Sequence, residues 1–268
     1  MTCEACRTIP PVISEGYTPQ GTSSAIDGLD FDTCTPYQQH LLKKDFCVNK
    51  TDITGPTTAK TAILTIYDIF GNSPQTTQGA DLLSARLNAL VLIPDFFKGD
   101  GAKQEWIPPD TEEKTAALMA FVREKASWAD AAKGINGVVD AYRAAFPFVG
   151  KWGAYGLCWG GKVLALGSGE GSPFSGTVQV HPGRMAKEDA ETLTIPHAIL
   201  ASKDEPADEV EAYDEVIKRK RLGGFVETYG DMWHGWMGAR AELQKEASLK
   251  EYTRGYGQLG DFFEKCLS

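Results

Sequence analysis

Ala154-Tyr155-Gly156-Leu157-Cys158-Trp159-Gly160-Gly161 reads as a short strand that turns sharply and continues as a helix over Lys162–Gly167. The turn is G-x-C-x-G. Glycine permits backbone conformations that a Cβ would block, so such a turn lifts its central side chain above the strand ends. The following helix aims its unpaired N–H groups and positive dipole end at that side chain, which favours a thiolate and a developing oxyanion. A glycine-flanked cysteine can equally be an inert core residue. The turn alone leaves both readings of Cys158 open, and the rest of the chain has to decide.

Outward from this turn, strands and helices alternate. Apolar, β-prone runs stand at Thr61–Tyr67, Leu90–Ile93, Thr177–Val180, His197–Ala201 and Phe225–Tyr229. Helical spacing covers Thr77–Leu87, Thr111–Lys125, Ala126–Ala145, Glu205–Arg221 and Ser248–Lys265. The alternation predicts an α/β fold, with a mostly parallel central sheet covered by helices on both faces. Residues 1–40 are rich in Gly, Pro, Ser and Thr and read as an irregular arm, with a short hairpin around Ile26–Asp30. Residues 41–268 read as a single domain. Within it, residues 96–112 combine glycines, prolines and three aromatics, which suggests a surface excursion or lid rather than core.

In open sheets of this kind the chemistry collects at the carboxyl ends of the strands. One end delivers Lys203-Asp204-Glu205 and another Asp231-Met232-Trp233-His234-Gly235. Together with Cys158 the order is nucleophile, acid, histidine. A thiol needs a base to take its proton, and the base needs a carboxylate to fix its tautomer. Asp204 is preferred because it lies closest to the strand end; Glu205 and Asp208 are the alternatives. Of the four histidines, His40 lies in the arm and His197 inside a strand. His181 ends a strand beside Pro182 and is the main competitor to His234. A further strand end, Ile66-Tyr67-Asp68-Ile69-Phe70-Gly71, supplies the early loop of an oxyanion hole, built from the N–H groups of Ile69 and Trp159. Asp68 there either faces the reacting centre or serves as a cap or turn residue.

Composition excludes several classes. The net charge of −9 suits neither nucleic acid nor an anionic membrane surface. No apolar stretch approaches a membrane span, and the N-terminus lacks a basic-then-apolar leader. The six cysteines are irregularly spaced. The pair Cys3 and Cys6 has no partner pair, so no metal and no cofactor is expected. These features predict a reduced, cytoplasmic protein, monomer or homodimer, whose partner is a small molecule.

Taken together, the chain resembles the dienelactone hydrolase family, and its fungal branch in particular. The pieces are Asp68-Ile69-Phe70-Gly71, Pro94-Asp95-Phe96-Phe97, Gly156-Leu157-Cys158-Trp159-Gly160-Gly161, Lys203-Asp204 and His234-Gly235-Trp236-Met237-Gly238-Ala239-Arg240. The resemblance covers about residues 60–265 and implies the α/β-hydrolase fold. It also implies a Cys158–His234–Asp204 triad and hydrolysis of small lactones or esters through an acyl-enzyme. A lyase, isomerase or cyclase of secondary metabolism on the same fold is the alternative. In bacterial relatives a glutamate at the position of Asp68 takes part in forming the thiolate; here the side chain is one methylene shorter. Relatives hold a substrate carboxylate with arginines. Arg240 matches one, and Lys98 stands near the place of another, where a point charge weakens bidentate recognition. The aromatics Phe70, Phe96, Phe97, Trp106, Trp159, Trp233 and Trp236 on or near these loops suggest a larger or flatter ligand.

Overall fold

The computed structural model of the protein describes residues 9–12, 16–24 and 50–268. The expected hairpin around Ile26–Asp30 lies outside them. Among the described residues the strands are β1 (Thr22–Ser24), β2 (Thr51–Thr54), β3 (Thr61–Ile66), β4 (Leu90–Pro94), β5 (Lys151–Leu157), β6 (Gly176–Val180), β7 (His197–Ser202) and β8 (Val226–Tyr229). They form one sheet in the order β1-β2-β4-β3-β5-β6-β7-β8. From β4 to β8 neighbouring strands are parallel, while β2 runs antiparallel to β4 and β1 to β2. The central strands are buried on both faces, which is why Leu90-Val91-Leu92-Ile93 is continuously apolar rather than alternating. The short β1 corrects the expectation of an irregular arm over Thr22–Ser24: its backbone pairs with β2 and covers the sheet edge.

The helices are α1 (Pro74–Leu87), α2 (Glu112–Glu124), α3 (Trp128–Ala145), α4 (Trp159–Gly167), α5 (Lys187–Thr192), α6 (Ala207–Lys220) and α7 (Glu246–Leu267). Helix α1 starts three residues before the sequence pattern suggests. Ser73 caps it by accepting the Thr76 N–H at 3.2 Å, and Pro74 occupies the first turn, where its missing N–H costs nothing. No helix among the described residues is long and apolar enough to cross a membrane.

Residues 96–112 run largely over the surface, as expected, but Phe96, Phe97, Ala102 and Ile107 correct the expectation that none of the segment is core: all four are buried in the main core. Phe97 packs 4.7 Å from the Trp159 ring and 5.1 Å from that of Phe121. The Ala102 N–H donates to the Ile69 carbonyl at 2.7 Å, so this segment buttresses the early loop. Its aromatics fill space between α2 and the end of β4, and apolar area of that size gains more from burial than a loop gains from exposure.

Helices α1 and α7 pack closely at Gly79, where an added Cβ would lie 1.9 Å from the Tyr256 ring. Tyr256 in turn donates to the Met237 carbonyl at 3.1 Å, in the loop that carries His234. Gly79→Ala therefore sets helix propensity, worth about 1 kcal/mol in favour of alanine, against overpacking, worth roughly 1–3 kcal/mol against it. We expect net destabilisation in urea unfolding. A stabilised variant would show that the tyrosine gives way freely.

His197 opens β7, fully buried. Its Nδ1 pairs with the Thr177 hydroxyl at 2.8 Å and its Nε2 with the Gln179 amide at 2.9 Å. Burial pushes its pKa down to about 3. A folded value below the unfolded value of about 6.5 gives stability that is complete above about 6.5 and lost as pH falls. Between about pH 7 and about pH 5 this one group should remove about 2 kcal/mol. The expected measurement is a His197→Gln variant whose stability falls less steeply over that interval than the parent's; equal slopes would contradict the assignment.

Candidate active site

The end of β5 turns into α4 through Cys158, whose backbone sits at φ 51° and ψ −105°. A non-glycine residue at positive φ is strained, and the neighbours show why the turn is nevertheless held. A Cβ on Gly156 would lie 2.1 Å from the Gly160 carbonyl, and one on Gly160 would lie 2.1 Å from the Ile66 carbonyl. Both glycines are thus required by close backbone approach. The Cys158 N–H donates to Val180 O at 3.0 Å, and its carbonyl accepts from Gly183 N–H at 3.0 Å. The elbow is thereby tied to the end of β6.

The loop after β8 brings His234 to this point. Its Nδ1 lies 2.7 Å from Glu205 Oε1, with both side chains 1 % exposed. The expectation that Asp204 meets the ring is corrected here. Asp204 is exposed, and its carboxylate accepts the His234 backbone N–H at 2.8 Å, while Glu205 turns inward to the imidazole. The turn after Ser202 explains the exchange. Asp204 N–H bonds Ser202 Oγ at 3.2 Å, and the second Glu205 oxygen takes the Ser202 N–H, so consecutive acids point to opposite sides. Glu205 was one of the alternatives open in the sequence. What decides between neighbours is the direction of a tight turn, which residue type does not encode. With Nδ1 turned to Glu205, Nε2 is the ring nitrogen not engaged by that carboxylate.

The charges of the site are set by burial. Cys158 is 1 % exposed and His234, Asp68 and Arg240 are wholly buried. Burial pushes the thiol up to about 12, although the Arg240 guanidinium and the Trp159 N–H favour the thiolate; Asp68 and Glu205 add to the rise. The helix terminus therefore acts in the expected direction but does not win, and the resting sulfur is a thiol. Burial and Arg240 push His234 down to about 3, which keeps it neutral. Glu205 is raised to about 7 by the same burial, opposed by the Ser202 N–H.

Asp68 Oδ1 accepts the Phe70 N–H at 2.9 Å, a turn contact, and Oδ2 accepts the Ala239 N–H at 2.9 Å. It thus pins the early loop to the segment after His234. Burial raises its pKa, with Arg240 and these two N–H groups opposing. Arg240 donates Nε to the Ile9 carbonyl, stacks 4.8 Å over Phe70, and hydrogen-bonds the Cys158 sulfur. Trp159 is the first residue of α4, and Ile69 is buried in the early loop. Gly160 N–H bonds Tyr67 O at 3.2 Å, which fixes the start of α4 against the early loop.

The other expected substrate contacts are divided between core and surface. Phe97 and Trp236 are core residues: Trp236 packs 4.3 Å from the Tyr229 ring and against Gly255 of α7. Lys98 is exposed, at φ 56°. Phe70, Trp106 and Trp233 are half-buried, and Phe70 and Phe97 line a cleft of about 220 Å³ with Lys50, Asp52, Asn72 and Asp100. The arm reaches the site, which its composition did not announce. Val12 N–H donates to Ala239 O at 2.7 Å and its carbonyl accepts from Gln75 at 2.9 Å. Among the described residues no group of three or more His, Cys, Asp or Glu side chains is arranged to hold a metal ion.

This geometry has relatives. The family model described as the dienelactone hydrolase family matches residues 50–266. An uncharacterized AIM2 family protein of Schizosaccharomyces pombe is 34% identical over 231 residues, which cover 85% of this chain and 92% of that one. A carboxymethylenebutenolidase homolog of Mus musculus is 25% identical over 195 residues, covering 70% and 75%. Among solved structures, an esterase of Pyrococcus furiosus shares the fold with a TM-score of 0.59 at 11% identity, covering 96% of this chain and 99% of that one. With the sheet order, the elbow and a family match over most of its length, the chain belongs to the dienelactone hydrolase family and has the α/β-hydrolase fold.

Proposed function

We propose that the protein hydrolyses small esters or lactones through an acyl-enzyme on Cys158. The observation that carries this reading is a cysteine held at φ 51° on a strand-to-helix elbow, in one buried cluster with a neutral histidine whose Nδ1 is bonded to a carboxylate at 2.7 Å. Cys158 attacks the carbonyl as its proton passes to His234 Nε2. Glu205 holds the imidazole in the tautomer that can accept it. The N–H groups of Ile69 and Trp159 receive the oxyanion, each worth about 3 kcal/mol in comparable sites. His234 then protonates the leaving oxygen, and water cleaves the thioester.

The resting thiol is protonated, so the nucleophile has to be generated on substrate binding. Arg240, already in contact with the sulfur, stabilises that thiolate and attracts an anionic substrate. Asp68 opposes the thiolate through its charge and serves chiefly to hold the two loops together. A net charge of −9 supports a small-molecule partner rather than nucleic acid, and we place the enzyme in the cytoplasm.

The test is kinetic, with p-nitrophenyl acetate as substrate. Cys158→Ala should lose about 10⁴-fold or more in kcat. Glu205→Gln should lose about 10²–10⁴-fold, the range for a misdirected general base. Asp204→Asn should lose far less, since the amide oxygen can still accept the His234 N–H. Undiminished turnover by Cys158→Ala would sink the mechanism. A larger loss in Asp204→Asn than in Glu205→Gln would return the orienting role to Asp204.

A further inference from the structure

His181 ends β6, one strand over from the elbow. Its N–H donates to Leu200 O at 2.7 Å, and its backbone sits at φ 37°. Two residues on, Gly183 abuts the elbow so closely that a Cβ there would lie 3.6 Å from the Cys158 sulfur. The His181 ring is wholly buried and packs edge-on against His234, centroids 5.2 Å apart with planes at 69°. Among the described residues neither ring nitrogen has a hydrogen-bond partner.

That combination is unfavourable twice over. The backbone is strained, and a buried donor and a buried acceptor go unmet. The same chain satisfies both nitrogens of its other buried strand histidine, His197, with Thr177 and Gln179. A purely structural role for His181 would be met in the same way, or by an apolar residue. Burial and the neighbouring His234 and Arg240 keep the ring neutral, so it offers one donor and one acceptor.

We propose that His181 holds the hydrolytic water beside His234 while the Cys158 thioester is broken down. This rests on the acyl-enzyme reading above. The water oxygen attacks the acyl carbon as one of its protons passes to His234 Nε2. Its other O–H donates to the unprotonated nitrogen of His181, which aims the oxygen lone pair. The carbon–sulfur bond breaks, the thiolate takes the proton back from His234, and a carboxylic acid leaves. Acylation makes no such demand, because there the proton passes from the thiol to His234 and on to the leaving oxygen.

The two steps therefore separate in the test. His181→Asn suits the positive φ but is too short to reach the water, while His181→Gln restores reach. With p-nitrophenyl acetate in stopped flow, His181→Asn should keep a burst rate within a few-fold of the parent. Its steady-state rate should fall at least tenfold, and His181→Gln should recover part of that loss. Hydroxylamine, a stronger nucleophile that needs less aiming, should bring His181→Asn turnover back to that of the parent under the same conditions. Burst and steady-state rates falling together, or a steady-state rate unchanged, would overturn the proposal. A parent protein that shows no burst and, after acid quench, no acyl group on Cys158 by mass mapping would instead remove the acyl-enzyme reading and this inference with it, before any variant is made.

Discussion

The backbone of Cys158 at φ 51° is the constraint around which the rest is arranged. An L-residue held in that region has to be over-determined by its surroundings. Here Gly156 and Gly160 let three backbone segments approach within contact, and the hydrogen bonds from Cys158 N–H and to Cys158 O clamp the turn to β6. The parallel order of β3, β5, β6, β7 and β8 then brings four other loops to the same edge of the sheet. The early loop comes from β3, His181 from β6, Glu205 from β7 and His234 from β8. The strain is local, and the sheet that bears it is the buried core.

Electrostatics complete the picture in a way geometry alone does not. Burial suppresses charge across the buried shell: Cys158, Asp68 and Glu205 are pushed up, while His234 and Arg240 are pushed down. Arg240 is the group in contact with the sulfur. It is also tied through Nε to the carbonyl of Ile9, so the arm and the cluster around Cys158 share one residue. Cys158 as a whole is 1 % exposed, so this shell shields it from solvent.

The strand–turn–helix at Cys158, the alternation that makes the parallel sheet, and the order of the later loops were all legible in the sequence. Each depends on short-range pattern or on chain order. What was not legible depends on direction. Asp204 and Glu205 are adjacent acids, and only the turn after Ser202 decides that Glu205 faces the imidazole. Aromatic residues 96 and 97 look like loop because glycine and proline follow them, yet tertiary packing against Trp159 draws them into the core. His181 was visible as a histidine at a strand end, but its unmet nitrogens are a property of the folded interior. The reach of residues 9–12 to Arg240 had no sequence signal at all.

The central claim is that Cys158 becomes acylated, and the most direct measurement is peptide mass mapping after brief exposure to p-nitrophenyl acetate followed by acid quench. The account predicts one acyl group on the peptide carrying Cys158, absent from Cys158→Ala. An acyl group on another residue that forms at the catalytic rate, with Cys158 unmodified, would contradict it.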